Sequence, residues 1–131
     1  MPIKSRTLSI SIDSEPTRIY EFVSDPKNIT KWAQGLGSSV RKAGDKWIVE
    51  SPNGPAELRF SKRNEFGILD HYVKVSGQEI FVPMRVVSNG KRSEVFLTIF
   101  RQPKMTEKQF AEDIYLVEKD LKTLKNIMEK N

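Results

Sequence analysis

The chain has no cysteine and a single histidine, His71, among 131 residues. The first absence removes disulfides, thiolate metal sites and cysteine nucleophiles together. The second excludes histidine-built metal clusters and leaves only carboxylate-rich alternatives, so no metal and no other cofactor is expected. No run approaches the roughly 18 apolar residues of a membrane span. The opening Met1-Pro2-Ile3-Lys4 lacks a signal-peptide core, and the expected compartment is the cytoplasm. Long basic runs are missing too. The net charge is +5 and the pI about 9.5, yet the lysines and arginines are scattered among 17 acidic residues. Their closest clusters are the pairs Arg41-Lys42, Lys62-Arg63 and Lys91-Arg92, each beside a turn. With no aromatic-basic stripe or recognised motif, no specific nucleic-acid partner is expected.

What is present describes a soluble globular chain, 37% hydrophobic and 30% charged, whose length suits one domain over residues 1–131. Its most organised stretch is Thr106 to Lys130. Phe110, Ile114, Val117, Leu121, Leu124 and Met128 recur at alternating spacings of four and three, which places them on one helical stripe. Thr106 and Gln109 form a capping-box pair, and Met105 and Phe110 stand where a hydrophobic staple would join them. Glu107, Glu112 and Asp113 lie early and Lys125 and Lys130 late, as the helix dipole favours. A cap contributes about 1 kcal/mol, and each buried Leu or Phe roughly 1.5–3. Burial dominates, so this helix needs an apolar surface to lie on.

The upstream chain offers one. Leu8, Ile10 and Ile12 alternate with Thr7, Ser9, Ser11 and Asp13, as in a half-buried strand. Ser14-Glu15-Pro16 opens a short helix capped by Asp13 or Ser14. Asp25-Pro26 ends it and begins a second, to about Ala33, anchored by Ile29 and Trp32. Turn signals then recur at Gly44-Asp45, Asn53-Gly54, Phe66-Gly67, Ser76-Gly77 and Asn89-Gly90. They separate strand-like runs near 38–43, 46–51, 56–63, 68–75, 79–88 and 92–101, an antiparallel meander. Ala56, Leu58 and Phe60 share one face, as do Leu69, His71, Val73 and Val75. The runs around Pro83 and around Phe96 are apolar on both faces, which leaves their inward side open, and Pro83 demands an edge or a bulge.

This order resembles the SRPBCC superfamily, which includes START lipid-transfer domains, polyketide cyclases and birch-pollen-allergen-like proteins. The residues carrying the likeness are Ser9-Ile10-Ser11-Ile12-Asp13-Ser14-Glu15-Pro16, then Ile19-Tyr20-Glu21-Phe22-Val23-Ser24-Asp25-Pro26 and Trp32. The resemblance implies an α+β helix-grip fold: a curved antiparallel sheet of seven strands, two short helices after the first, and a long C-terminal helix over the sheet. It also implies a pocket between sheet and helix for an apolar or aromatic small molecule, lipid, polyketide or quinone-like, with Trp32, Met84, Phe110, Ile114 and Tyr115 as walls. No universal catalytic set exists to carry over.

Two polar residues add chemistry. His71 shares the inward face of its strand with Leu69 and Val73, where an imidazole can hydrogen-bond a ligand or act as a general base. Arg85, if inward, could pair with a ligand carboxylate or phenolate. Glu50 and Glu57 read as exposed strand residues. Gly35-Leu36-Gly37 is too short for a dinucleotide fingerprint and follows a helix, and Asn28-Ile29-Thr30 matches a glycosylation sequon without a secretory signal. The reading is a ligand-binding or carrier protein. Its alternatives are a cyclase- or dehydratase-like enzyme using His71, Tyr72 or Arg85 for proton transfer, and a protein-interaction module with a filled core. The ligand, the pathway and the oligomeric state are not written in the sequence.

Overall fold

Leu8 and Ile12 bury one face of β1 (Ser5–Ile12), while Thr7, Ser9 and Ser11 stay exposed. The computed structural model describes residues 2–130. After β1 come α1 (Pro16–Ser24), a 3-10 turn (Pro26–Asn28) and the single-turn α2 (Ile29–Trp32). Then follow β2 (Ser39–Ala43), β3 (Lys46–Ser51), β4 (Gly54–Phe60), β5 (His71–Val75), β6 (Gln78–Val82), β7 (Met84–Asn89), β8 (Arg92–Phe100) and α3 (Glu107–Glu129). The strands form two antiparallel sheets, β1-β8-β7 and β2-β3-β4-β5-β6.

The described strands thus number eight, against the seven expected. Pro83 is the reason. It has no N–H to give a ladder, and it splits the run 79–88 into β6 and β7, which go to different sheets. Contacts across the break tie the sheets together: an isolated bridge between Ile68 and Arg85, the Leu69 N–H donating to the Met84 carbonyl and the Thr98 N–H to that of Pro83, and the Asp70 carboxylate accepting from the Met84 N–H at 2.8 Å.

Four hairpins fall at the expected turns. Ser76 and Gly77 both take positive φ, 52° and 76°, as a two-residue turn matched to strand twist requires. Phe66-Gly67 turns too, within a longer loop between β4 and β5 instead of a hairpin. Asn64 ties this loop, accepting from the N–H groups of Phe66 and Ile68 and donating to the carbonyls of Lys62 and Ile68. That is why β4 ends at Phe60 and β5 starts at His71, well inside the expected 56–63 and 68–75.

Two helix-end expectations need correction. Because Pro16 occupies the opening position of α1, the capping position is Glu15, with no side-chain bond to the helix. Neither Asp13 nor Ser14 caps it. The last turn of α3 carries no basic residue; Lys125 instead reaches Glu129 and the Ser11 carbonyl, at 2.7 and 2.9 Å. The capping box is as expected: the Thr106 hydroxyl accepts from the Gln109 N–H, and the Gln109 side chain from the Thr106 N–H.

The α3 stripe lies on β1 and α2. Phe110, Leu121, Leu124 and Met128 are buried in one core with Leu8, Ile12, Ile19, Val23, Trp32 and the inward residues of both sheets. Burial also settles the ambiguous strands. Met84, Val86, Val95, Leu97 and Ile99 face inward, and Arg85 and Phe96 pair on the outer face.

Candidate ligand-binding site

The end of α2, the middle of α3 and the strands β5, β6 and β8 do not close completely on one another. Between them is a cavity of about 220 Å³, walled by Trp32, Leu36, Val73, Ile80, Val82 and Leu116 among others. Its polar groups are few: His71, Asp113, Asp120, Gln102 and the Trp32 indole. A wider groove of about 970 Å³ runs between α1, the loop 63–67 and β7. It is a surface feature, flanked by the exposed Phe66 and an Arg63–Glu21 ion pair, and its Tyr20 hydroxyl already accepts from the Asn64 N–H.

His71 is held firmly. The alternation of β5 points it inward beside Val73, it is buried, and its ring packs on Phe60 with centroids 4.9 Å apart. Nδ1 lies 2.9 Å from the Leu69 carbonyl. A carbonyl only accepts, so Nδ1 carries the hydrogen and Nε2 keeps its lone pair in the neutral ring. Burial lowers the imidazole's pKa, against the opposing pull of the Leu69 carbonyl and the Asp70 charge. At neutral pH this histidine is an uncharged acceptor.

Trp32 is set by α2 and is 2% exposed. Its Nε1 is buried with no hydrogen-bond partner among the described residues. Leaving such a donor unmatched costs about 1–3 kcal/mol, and most buried polar groups in folded proteins are paired.

On α3, Asp113, Leu116, Val117 and Asp120 follow at spacings of three, one and three, so one helix face presents both carboxyls. The Asp120 carboxylate accepts from the Gly35 N–H at 3.4 Å, tying the loop after α2 to the helix. Burial pushes its pKa up to about 6, opposed by the Gly35 bond and Lys119. Burial, then the Glu112 charge, raises that of Asp113. Among the described residues, no three His, Asp or Glu side chains gather as a metal cluster would.

Of the expected site residues, Trp32 and His71 line the cavity together. Met84 and Phe110 are buried in the core beyond its walls, and Ile114 is half-buried against that core. Tyr115 is 67% exposed. The reason is helical geometry: the face toward the cavity is centred roughly 60–70° round α3 from the apolar stripe, and Tyr115 points away from both. Arg85 is exposed on the outer face of β7, so it holds no ligand in this cavity. Tyr72 is outside it as well, stacked on Phe81 beneath the Arg59 guanidinium. Sequence reasoning missed Asp113 and Asp120 as site residues. Their spacing of seven, with Leu116 and Val117 between, was the available signal.

An antiparallel grip around one long helix, with a mainly apolar cavity and a few polar groups between them, defines the helix-grip class. No family profile matches the chain, and no curated protein matches it by sequence. Solved structures do. The chain is similar to XoxI from Bacillus cereus at 13% identity, over 98% of this chain and 97% of that one, with a TM-score of 0.74. Ara h 8.0201 is similar at 9% identity, over 99% and 100%, with a TM-score of 0.72. DynU16, a protein of the dynemicin biosynthetic locus, matches at 14% identity with a TM-score of 0.73, over 98% of this chain and 48% of that longer one. At such identities the likeness establishes the helix-grip fold alone.

Proposed function

We propose that this protein binds and carries a small apolar or aromatic molecule in the cavity between α3 and the strands, in the cytoplasm. The observation that carries the reading is a cavity of about 220 Å³ with mainly apolar walls and a few polar side chains among them, Gln102, Asp113, Asp120 and His71, the last a neutral ring whose Nε2 acceptor is set by the bond from Nδ1 to Leu69. A few polar groups on apolar walls orient a ligand. The open space between α3 and the strands supports this reading over a filled-core interaction module. The likeness to DynU16 suits a ligand from specialised biosynthesis, and a benzene-sized guest needs about 150 Å³, so a cavity of about 220 Å³ favours a substituted ring over a long lipid chain.

A second reading has its own observation. His71 is a neutral base in the same cavity as two carboxyls whose pKa values are raised, a set that suits proton transfer in a cyclase- or dehydratase-like reaction. Native mass spectrometry of freshly purified protein tests the first reading: a co-purifying small molecule supports it. Incubation then separates the two. Recovery of the intact ligand supports a carrier, and conversion by wild type that His71→Gln loses supports the enzyme.

A further inference from the structure

We propose that the cavity selects a small aromatic amine, in its protonated form, over a carboxylate with the same ring. This rests on the reading of the cavity as a ligand site and specifies its chemistry.

The charge of the cavity is the inverse of the charge of the chain. The whole protein carries +5, but neither Lys nor Arg lines the cavity, whereas Asp113 and Asp120 do. The remaining ionisable side chain there, His71, is neutral. The walls from α2 and its following loop, from β6 and from β8 contribute no titratable group. A carboxylate entering this space meets two groups of its own sign and no cationic side chain to set against them. Arg85, the cation that could have received it, lies on the outer face of the sheet. An ammonium group finds the opposite: carboxyls at two positions about 10 Å apart along α3, either of which can pair with it. Burying a charge is costly unless it is paired, and here the pairing exists for one sign only.

Cation binding is linked to protons. Asp120 titrates near 6, and an arriving ammonium favours its ionised form. Amine affinity therefore rises with pH through that region. Protonation of His71 at low pH acts in the same direction, because it places a positive charge beside the ligand.

The test uses three probes with one ring: p-methoxyphenethylamine, p-methoxyphenethyl alcohol and p-methoxyphenylacetate. Each is titrated into the full chain near neutral pH, with affinity read from the shift of the Trp32 indole N–H resonance. The amine is expected to bind about tenfold or more tightly than the acid, in keeping with one close charge pair. Asp120→Asn retains an oxygen for the Gly35 N–H and should narrow that ratio. Asp113→Asn, which breaks no bond to the loop, should narrow it independently. An acid that binds as well as the amine overturns the inference. If the alcohol still binds in that case, the cavity remains a ligand site and only its charge selectivity falls. If none of the three moves Trp32, both readings fall.

Discussion

Asp120 on α3 and Gly35 in the loop after α2 are joined by a hydrogen bond of 3.4 Å across 85 residues of sequence. The bond holds a buried carboxyl where its charged form is disfavoured, so it should leave a mark on stability. Because the folded-state pKa of about 6 stands above the ordinary 3.8, the protonated form favours the fold. That contribution is complete below about pH 3.8 and is lost as pH rises through about 6. Asp120→Asn should therefore exceed wild type in stability by on the order of 1–3 kcal/mol at neutral pH, and match it at acid pH. Urea titrations at both pH values check this. A constant difference between the proteins contradicts it.

His71 should show the opposite slope. Its pKa is lowered in the fold, so the unfolded chain binds its proton more readily, and the contribution favouring the fold is lost as pH falls below about 6.5. His71→Gln should remove that part of the acid sensitivity. Asp113 shifts in the same direction as Asp120, while Glu107 and Glu129 are exposed and shift downward. All three are present in each variant and cancel in the comparison.

The packing of α3 predicts a contrast between two of its residues. Leu121 is 2% exposed and Tyr115 67%. Leu121→Ala should cost on the order of 2–5 kcal/mol, and Tyr115→Ala about half a kcal/mol or less, by chemical denaturation. Equal losses would mean that α3 presents a different face to the sheet.

Two glycines of positive φ make another contrast. A Cβ on Gly67 would meet the Val86 carbonyl oxygen at 2.1 Å, whereas one on Gly44 meets nothing within 4 Å. Gly44→Ala should cost only the left-handed backbone strain, about 1–2 kcal/mol. Gly67→Ala adds a clash with backbone that also donates a bond here, from the Val86 N–H to the Gly67 carbonyl. It should destabilise markedly more in the same urea assay. Similar losses would show that the loop between β4 and β5 is not pressed against β7.

The elements whose apolar spacing was strong were legible in the sequence: β1, the hairpins and α3 with its capping box. So was the inward side of β5, because Leu69, His71 and Val73 alternate without ambiguity. The strand count was not, since the run from Ile80 to Val87 is apolar throughout and only three-dimensional pairing reveals that Pro83 sends its halves to different sheets. The site was half legible. Trp32 and His71 carry signals of residue type and face. Asp113 and Asp120 do not, because an acidic residue beside an apolar stripe usually marks the solvent side of a helix. Whether it faces water or a cavity depends on how far α3 is rolled over β1, a property of packing that local periodicity does not encode.

The central claim is that the space between α3, α2 and the strands receives a small apolar molecule, and the Trp32 indole reports on it most directly. The measurement is a nitrogen-15 NMR titration of the full chain with p-methoxyphenethyl alcohol, a neutral probe with both an apolar ring and hydrogen-bonding oxygens. The Trp32 Nε1–H and the His71 ring resonances should move together and saturate. Trp47, half-buried on β3 and away from the cavity walls, should stay in place. Saturation confined to Trp32 and His71 is the predicted result; unmoved Trp32 and His71 resonances, or shifts spread equally to Trp47, would contradict the account.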